Sequence, residues 1–485
     1  MATPAKVIGY LPQDTPPFGK MVLLGFQHVL TMFPATVLCA ILMKFDVSTV
    51  LAVTGFGTVV ALLGSKLAIK NYIPLYYGSS FSYIGAALAV IFAIEPTVGA
   101  VASKETIAIV QVGFIATGVI NILIGLLIRA TGGKASLDKI LPPIVTGSVA
   151  CVIGIGLGFA ALQMATGAFF NPDYTQYTAN LRVDTIGIFE KAFALKWLAA
   201  SMITLLSAIL FSVYLQGKGF IGMLPILLAA IVGYLVSIPL GLVDFSGIGT
   251  TAFLTVPQLT FPNFGSPYTL TVIVGIGIMA IATIPESTAH LYQISLYVDH
   301  LATEMGREKL GFSKLIGLNL MLDGLNDLIN GLFGSTAGTN YGENNSLMVI
   351  TRNYSGTVLI TAGVIAMILG FIGPVKDAIY SVPTAVNGGL AIYLFGVIGM
   401  QGIALMIAEK VDLYDPGQLA LGALILIVGI GGYIGYNGNL PIPLLTKVFP
   451  SGWPAIATAA FMGIIINLIF TIFKAPKIRA TDVLG

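Results

Sequence analysis

The chain has 485 residues, of which 56% are hydrophobic and 9% charged. A soluble domain carries roughly 25% charged residues, so the composition excludes one and requires a chain that crosses a membrane many times. The formal net charge of +2 argues neither for a nucleic-acid partner nor for a polybasic lipid-binding surface.

Residues 1–19 are polar and Pro-rich, unlike a signal peptide, and are expected to form a cytoplasmic segment. The first apolar run then serves as the insertion signal. Beyond it, apolar runs cut at charged, Pro or Gly clusters predict an all-α multi-spanning fold of about fourteen segments. Segments 1 to 7 fall near 20–44, 48–66, 76–94, 106–128, 140–165, 194–216 and 219–241. Segments 8 to 14 fall near 268–294, 312–332, 336–351, 357–375, 383–408, 417–436 and 452–473. The long connections 166–193 and 242–267 lie on one side. Lys and Arg divide roughly 16 to 7 in favour of the side that carries both termini, which predicts cytoplasmic termini in a cell (inner) membrane. Cys39 and Cys151 read as small buried hydrophobes, and Trp197, Tyr72 and Trp453 as an interfacial aromatic belt.

The chain repeats itself at an offset of seven segments. Pro142 to Gly147 in segment 5 and Pro383 to Gly388 in segment 12 share the pattern P-x-x-V-x-G. Tyr77-Gly78-Ser79-Ser80-Phe81 in segment 3 answers Asn340-Tyr341-Gly342-Glu343 in segment 10, and Gln27-His28 in segment 1 answers Glu286 and His290 in segment 8. An odd number of crossings per repeat inserts the second copy upside down, the architecture of inverted-repeat secondary transporters. The repeats are 20–241 and 268–473.

Segments 3 and 10 are both interrupted by small residues. Gly334, Gly338 and Gly342 make 335–342 read as extended or irregular backbone, with a helix starting near Glu343. Irregular backbone at bilayer depth survives only where protein or a cavity satisfies it, so the two interruptions should meet and mark the binding site. The ionisable residues at membrane depth are His28, Glu286, His290, Asp323, Asp327 and Glu343. Glu286 and His290 share a helix face at i, i+4 and line the same expected cavity as Glu343. Asp323 and Asp327 read as solvated rim residues or helix braces. Arg352 reads as a cytoplasmic anchor. HExxH, GxSxG, P-loop and Cys/His ligand patterns are all lacking, so neither a metal, a cofactor nor an enzymatic nucleophile is expected.

Phe26-Gln27-His28, Gly78-Ser79-Ser80-Phe81, Glu286 with His290, and Tyr341-Gly342-Glu343-Asn344 followed by Thr351-Arg352 resemble the nucleobase–ascorbate transporter family along the whole chain. Ser346 stands where the family's segment 10 signature has Gly. The resemblance implies a core domain of segments 1–4 and 8–11 (20–128 and 268–375) and a gate domain of segments 5–7 and 12–14 (140–241 and 383–473). It also implies proton-coupled nucleobase uptake by a homodimer. Glu343 resembles the uracil branch, whereas Glu286-Ser287-Thr288 resembles the purine branch, so a xanthine carrier is the alternative and an anion exchanger of the same architecture a further one. The implied substrate contacts are Glu286, Glu343, Gly342, Phe81, Tyr341 and His290, backed by Gln27, His28, Ser80 and Asn344. Uracil offers two N–H donors and two carbonyls; carboxylates would accept from the former and free backbone N–H groups of the broken segments would serve the latter. Burial disfavours a charged carboxylate, so Glu286 or Glu343, with His290, is expected to exchange the coupled proton.

Overall fold

A computed structural model describes residues 9–131, 139, 141–167, 191–436, 438–442 and 452–473. The fold is mostly helical, and its elements fall on the predicted segments as follows. Segment 1 is the helix Phe18–Leu42, segment 2 Val47–Ile69, segment 4 Lys104–Thr131, segment 5 Pro143–Thr166, segment 6 Lys191–Tyr214 and segment 7 Pro225–Ser237. Segment 8 is a short helix, Thr269–Gly277, running almost directly into Ala280–Glu304; segment 9 is Ile316–Phe333 and segment 11 Gly356–Gly370. Segment 12 is Thr384–Ala408, segment 13 runs from Pro416 to Gly435 through a π-helical turn at Ile427–Gly431, and segment 14 is Ala455–Ile472. Segments 3 and 10 are half strand, half helix. The predicted connection 166–193 lies mostly outside the described residues.

The packing carries the inverted repeat. Segment 4 lies along segment 9, and its counterpart segment 11 lies along segment 2. Segment 4 also touches segment 8 as segment 11 touches segment 1, and segments 6 and 7 pair as 13 and 14 do. Segments 5 and 12, each the other's repeat mate, form the most extensive contact of all. Small residues make these approaches possible. A Cβ on Gly118 would stand 2.6 Å from the Gly324 carbonyl, and one on Gly317 2.6 Å from the Gly125 carbonyl, two turns further along the same seam. The related seam brings Gly55 against Gly363, where a Cβ would sit 2.5 Å from the carbonyl oxygen. In a bilayer such backbone-to-backbone contact replaces the hydrophobic drive that helices lack there.

Among the described residues, nine helices are long and apolar enough to cross a membrane, and segments 3, 7 and 11 supply shorter apolar ones. Segment 9 fails that test despite its 18 residues. Asn319, Asp323, Asn326, Asp327 and Asn330 recur on one helix face, and all five are fully buried. Asp323 and Asp327 are therefore not solvated rim residues; the stripe turns inward, towards segments 3, 8 and 10. Trp197 and Tyr72 are likewise buried rather than at an interface. The Trp197 indole N–H donates to the Met164 carbonyl at 2.9 Å, and the Tyr72 ring covers Gly356. Both face helix seams, which composition cannot distinguish from lipid.

On the face holding the start of the described chain, residues 9–14 lie across the turn between segments 10 and 11. Tyr10 N donates to Arg352 O at 3.0 Å, Tyr354 N returns a bond to Tyr10 O at 2.8 Å, and Leu11 is fully buried. Asp14 pairs with Arg307 at 2.7 Å. Arg352 closes segment 10 in the left-handed region, φ 51°, and its guanidinium pairs with Glu304.

Candidate functional site

The two interruptions meet. Strand β1, Tyr77–Ser79, pairs antiparallel with β2, Gly338–Asn340, setting Tyr77 opposite Asn340, Gly78 opposite Thr339 and Ser79 opposite Gly338. Tyr341 N donates to Tyr76 O at 2.8 Å and Ser80 N to Ala337 O at 3.0 Å, so the pairing continues beyond both strand ends. Every backbone group paired here is one that lipid could not satisfy. The glycines have a local cause: the Tyr341 ring crosses Gly78, where a Cβ would fall 2.4 Å from Cζ. That ring is fixed by its hydroxyl, which donates to Ser79 O at 2.8 Å and lies 3.0 Å from Thr36 Oγ1.

Each strand hands over to a half-helix. Ser80 Oγ caps the turn Phe81–Tyr83 by accepting from Ser82 N at 3.3 Å, and the helix Ile84–Ile94 follows. Segment 10 becomes helical at Gly342 and runs to Thr351, with no side-chain cap on its first turn. Its first N–H groups and the positive end of its dipole are therefore available to acceptor atoms. Glu343 stands in that first turn and is exposed. Glu286, half-buried on segment 8, lies within electrostatic reach of Glu343 and of Asp323. One turn on, His290 places Nδ1 2.8 Å from both the backbone oxygen and the Oδ1 of Asn340, and its Nε2 against Gly342. Phe81, at the start of the other half-helix, meets Phe395 of segment 12 edge-on, ring centroids 5.9 Å apart.

The structure thus brings Glu286, His290, Tyr341, Gly342, Glu343, Ser80 and Phe81 around the strand crossing. His28 and Asn344 form a separate, fully buried pair behind segment 10: Asn344 Nδ2 donates to His28 Nδ1 at 3.0 Å and to His28 O at 3.1 Å. Gln27 is half-buried one residue before.

Sequence reasoning offered Asp327 as a helix brace at most and missed the polar layer it belongs to behind the crossing. Asp327 Oδ1 accepts from Gly338 N at 2.7 Å and its Oδ2 from Asn121 Nδ2 at 3.0 Å, tying β2 to segments 9 and 4. Ser287 Oγ accepts from Asn340 Nδ2 at 2.7 Å and from Asn319 Nδ2 at 2.8 Å. The polar residues spaced at i, i+4, i+7, i+8 and i+11 along segment 9 carried this signal.

A match to the permease family described as Xan_ur_permease covers residues 19–437. The uracil permease of Bacillus subtilis (strain 168) is 32% identical over 476 residues, covering 97% of this chain and 97% of its own. The uracil permease of Escherichia coli (strain K12) is 31% identical over 472 residues, 96% of this chain and 94% of its own. Among solved structures, the transmembrane domain of the cyanobacterial bicarbonate transporter BicA superposes with a TM-score of 0.57 at 14% identity, over 94% of this chain and 99% of that one. SLC26A9 gives a TM-score of 0.60 at 12% identity, over 94% of this chain and 65% of that one. At such identities the likeness is one of fold.

Proposed function

The chain belongs to the permease family described as Xan_ur_permease, an integral membrane family of transporters rather than enzymes, and from that premise we propose that it carries nucleobases, with uracil as the preferred cargo. The observation that carries the reading is the register of β1 on β2. It starts two half-helices beside Glu286, His290 and Glu343, so that acceptor side chains and backbone donors converge on one place. A planar base with alternating N–H and C=O groups has the complementary edge. Names of relatives support the same cargo: those at about 31–32% identity over nearly full length are uracil permeases.

Transport proceeds by alternating access, segments 1–4 and 8–11 rocking as a core against a gate of segments 5–7 and 12–14. The packing supports that division, because the closest contacts run within each set. Phe81 against Phe395 is a contact between the sets beside the site, one that movement would break. Uptake is coupled to a proton exchanged at Glu286 or Glu343, in a homodimer of the inner membrane with cytoplasmic termini.

A thermal-shift screen of the purified protein against nucleobases tests the cargo: a ligand at 100 times its dissociation constant stabilises by about 2.7 kcal/mol. Uracil should shift the transition most, xanthine less, and sulfate or bicarbonate not at all. A shift by the anions alone would instead favour an anion cargo, like that of the bicarbonate transporter whose fold it shares. For the coupling, one of Glu286→Gln and Glu343→Gln should bind uracil without accumulating it; accumulation like wild type by both would rule out either glutamate as the proton carrier.

A further inference from the structure

His290 Nδ1 stands 2.8 Å from a backbone carbonyl, which can only accept. The nitrogen therefore carries the proton. The second neighbour at 2.8 Å, Asn340 Oδ1, agrees, and its orientation is not arbitrary. Asn340 Nδ2 is committed to Ser287 Oγ, which also receives Asn319 Nδ2 and so has both lone pairs used. Turning the Asn340 amide over would aim an N–H at a nitrogen that already holds one. Asn319 and Asn340 are fully buried, as is Ser287, so none of these bonds is exchanged for water.

With its proton on Nδ1, a neutral imidazole has its lone pair on Nε2. That atom faces Gly342: a Cβ there would stand 2.7 Å from it, so a larger residue would crowd the lone pair. We propose that Asn340 is the positioning residue that fixes the tautomer of His290, through its backbone carbonyl and through an Oδ1 whose orientation Ser287 and Asn319 hold, making Nε2 an acceptor for a ring N–H of the bound base. Asn340 touches no substrate itself. It selects, through His290, a ligand edge that donates where His290 meets it. The proposal rests on the reading of the strand crossing as the substrate site, and it deepens that reading by assigning the direction of one hydrogen bond. The ionisable groups facing His290 are Glu286 one turn before it and Glu343 on the half-helix opposite, with Asp323 beyond Glu286.

The chain has three histidines, which makes the test direct. Nitrogen-15 spectra of histidine-labelled protein in nanodiscs distinguish Nδ1–H, Nε2–H and doubly protonated rings, with assignments from single His→Gln variants. His290 should show the Nδ1–H form. His28 is an internal control of opposite sense, because Asn344 donates to its Nδ1, leaving the proton on Nε2. Asn340→Asp places a carboxylate against Nδ1–H, which favours the imidazolium and turns Nε2 into a donor. Ser287 can still serve it by turning its hydroxyl to donate. In that variant the His290 signal should become doubly protonated and uracil affinity should fall about tenfold, the worth of one hydrogen bond. An Nε2–H signal for wild-type His290, or unchanged or tighter uracil binding by Asn340→Asp while His290→Ala loses it, would overturn the proposal. Unchanged binding by His290→Ala would instead refute the site reading on which it stands, whatever the spectrum shows.

Discussion

Glu343 sits in the first turn of a half-helix whose N–H groups have no side-chain cap, so a carboxyl group and backbone donors stand side by side. A carboxylate only accepts, and charge-assisted bonds are roughly twice as strong as neutral ones. Replacing Glu343 by Gln should weaken uracil by about 1.5–3 kcal/mol, the worth of a hydrogen bond to a charged group. Xanthine, whose mixed edge an amide can match, should lose less or gain. Dissociation constants for both bases on both proteins decide this; equal losses would mean that Glu343 supports the helix start without reading the base. Ser346, where the family signature has Gly, bonds its hydroxyl back to Gly342 O at 3.1 Å, so the departure is absorbed within the half-helix.

Between residue and fold stands the strand crossing, two three-residue strands too short to persist alone. Asp327 fixes them by joining the Gly338 N–H to Asn121 across segments 9, 10 and 4. Asp327→Leu strands a buried backbone donor and an amide, each costing about 1–3 kcal/mol. Asp327→Asn should be mild, because its oxygen can still meet Gly338 N and the Asn121 amide can turn to accept. Melting temperatures and uracil affinity should therefore fall far more for Leu than for Asn; equal losses would show that the carboxylate's charge, rather than its two bonds, matters. Between segments 11 and 12, the helix Gly373–Tyr380 holds the 242–267 connection through Asp377, which accepts from the Thr251 hydroxyl, from Thr251 N at 3.3 Å and from Gly249 N at 3.0 Å. The Thr251 hydroxyl, more than the backbone donors, keeps this carboxyl below its ordinary range. A depressed folded value means the docking is fully present above the ordinary carboxylate pKa of about 3.9 and is lost as pH falls through the lowered one. Hydrogen exchange at 249–255 should accordingly be slow at neutral pH and rise in Asp377→Asn. Exchange equal in both proteins would show that the loop is held elsewhere.

Across the whole molecule the repeat relates packing as well as sequence: segment 4 on 9 answers 11 on 2, and 4 on 8 answers 11 on 1. With an odd number of crossings in each copy both ends of the chain would share one face, and the excess of Lys and Arg predicts that this face is cytoplasmic. A tag fused after Gly485 should resist modification from outside intact cells, and ready labelling there would reverse the orientation assigned to the molecule. The strap formed by residues 9–14 across the segment 10–11 turn belongs to this same face.

Much of this was legible in one dimension. Apolar length set the segments, since the bilayer fixes how much chain a crossing needs. Gly78, Gly338 and Gly342 marked the breaks, because only unusual backbone needs such residues at that depth. Glu286, His290 and Glu343 stood out because ionisable groups in lipid must have a purpose. The sequence could not say which side of a helix faces a seam, and so Trp197 and Tyr72 passed for interfacial residues, while Asp323 and Asp327 were left between a solvated rim and a helix brace. Nor could it say that Asn340, Ser287 and Asn319, on three different segments, share one hydroxyl. Hydrogen-bond direction depends on which donor meets which acceptor in space, and only tertiary structure brings residues 319, 287, 340 and 290 within 3 Å steps of one another.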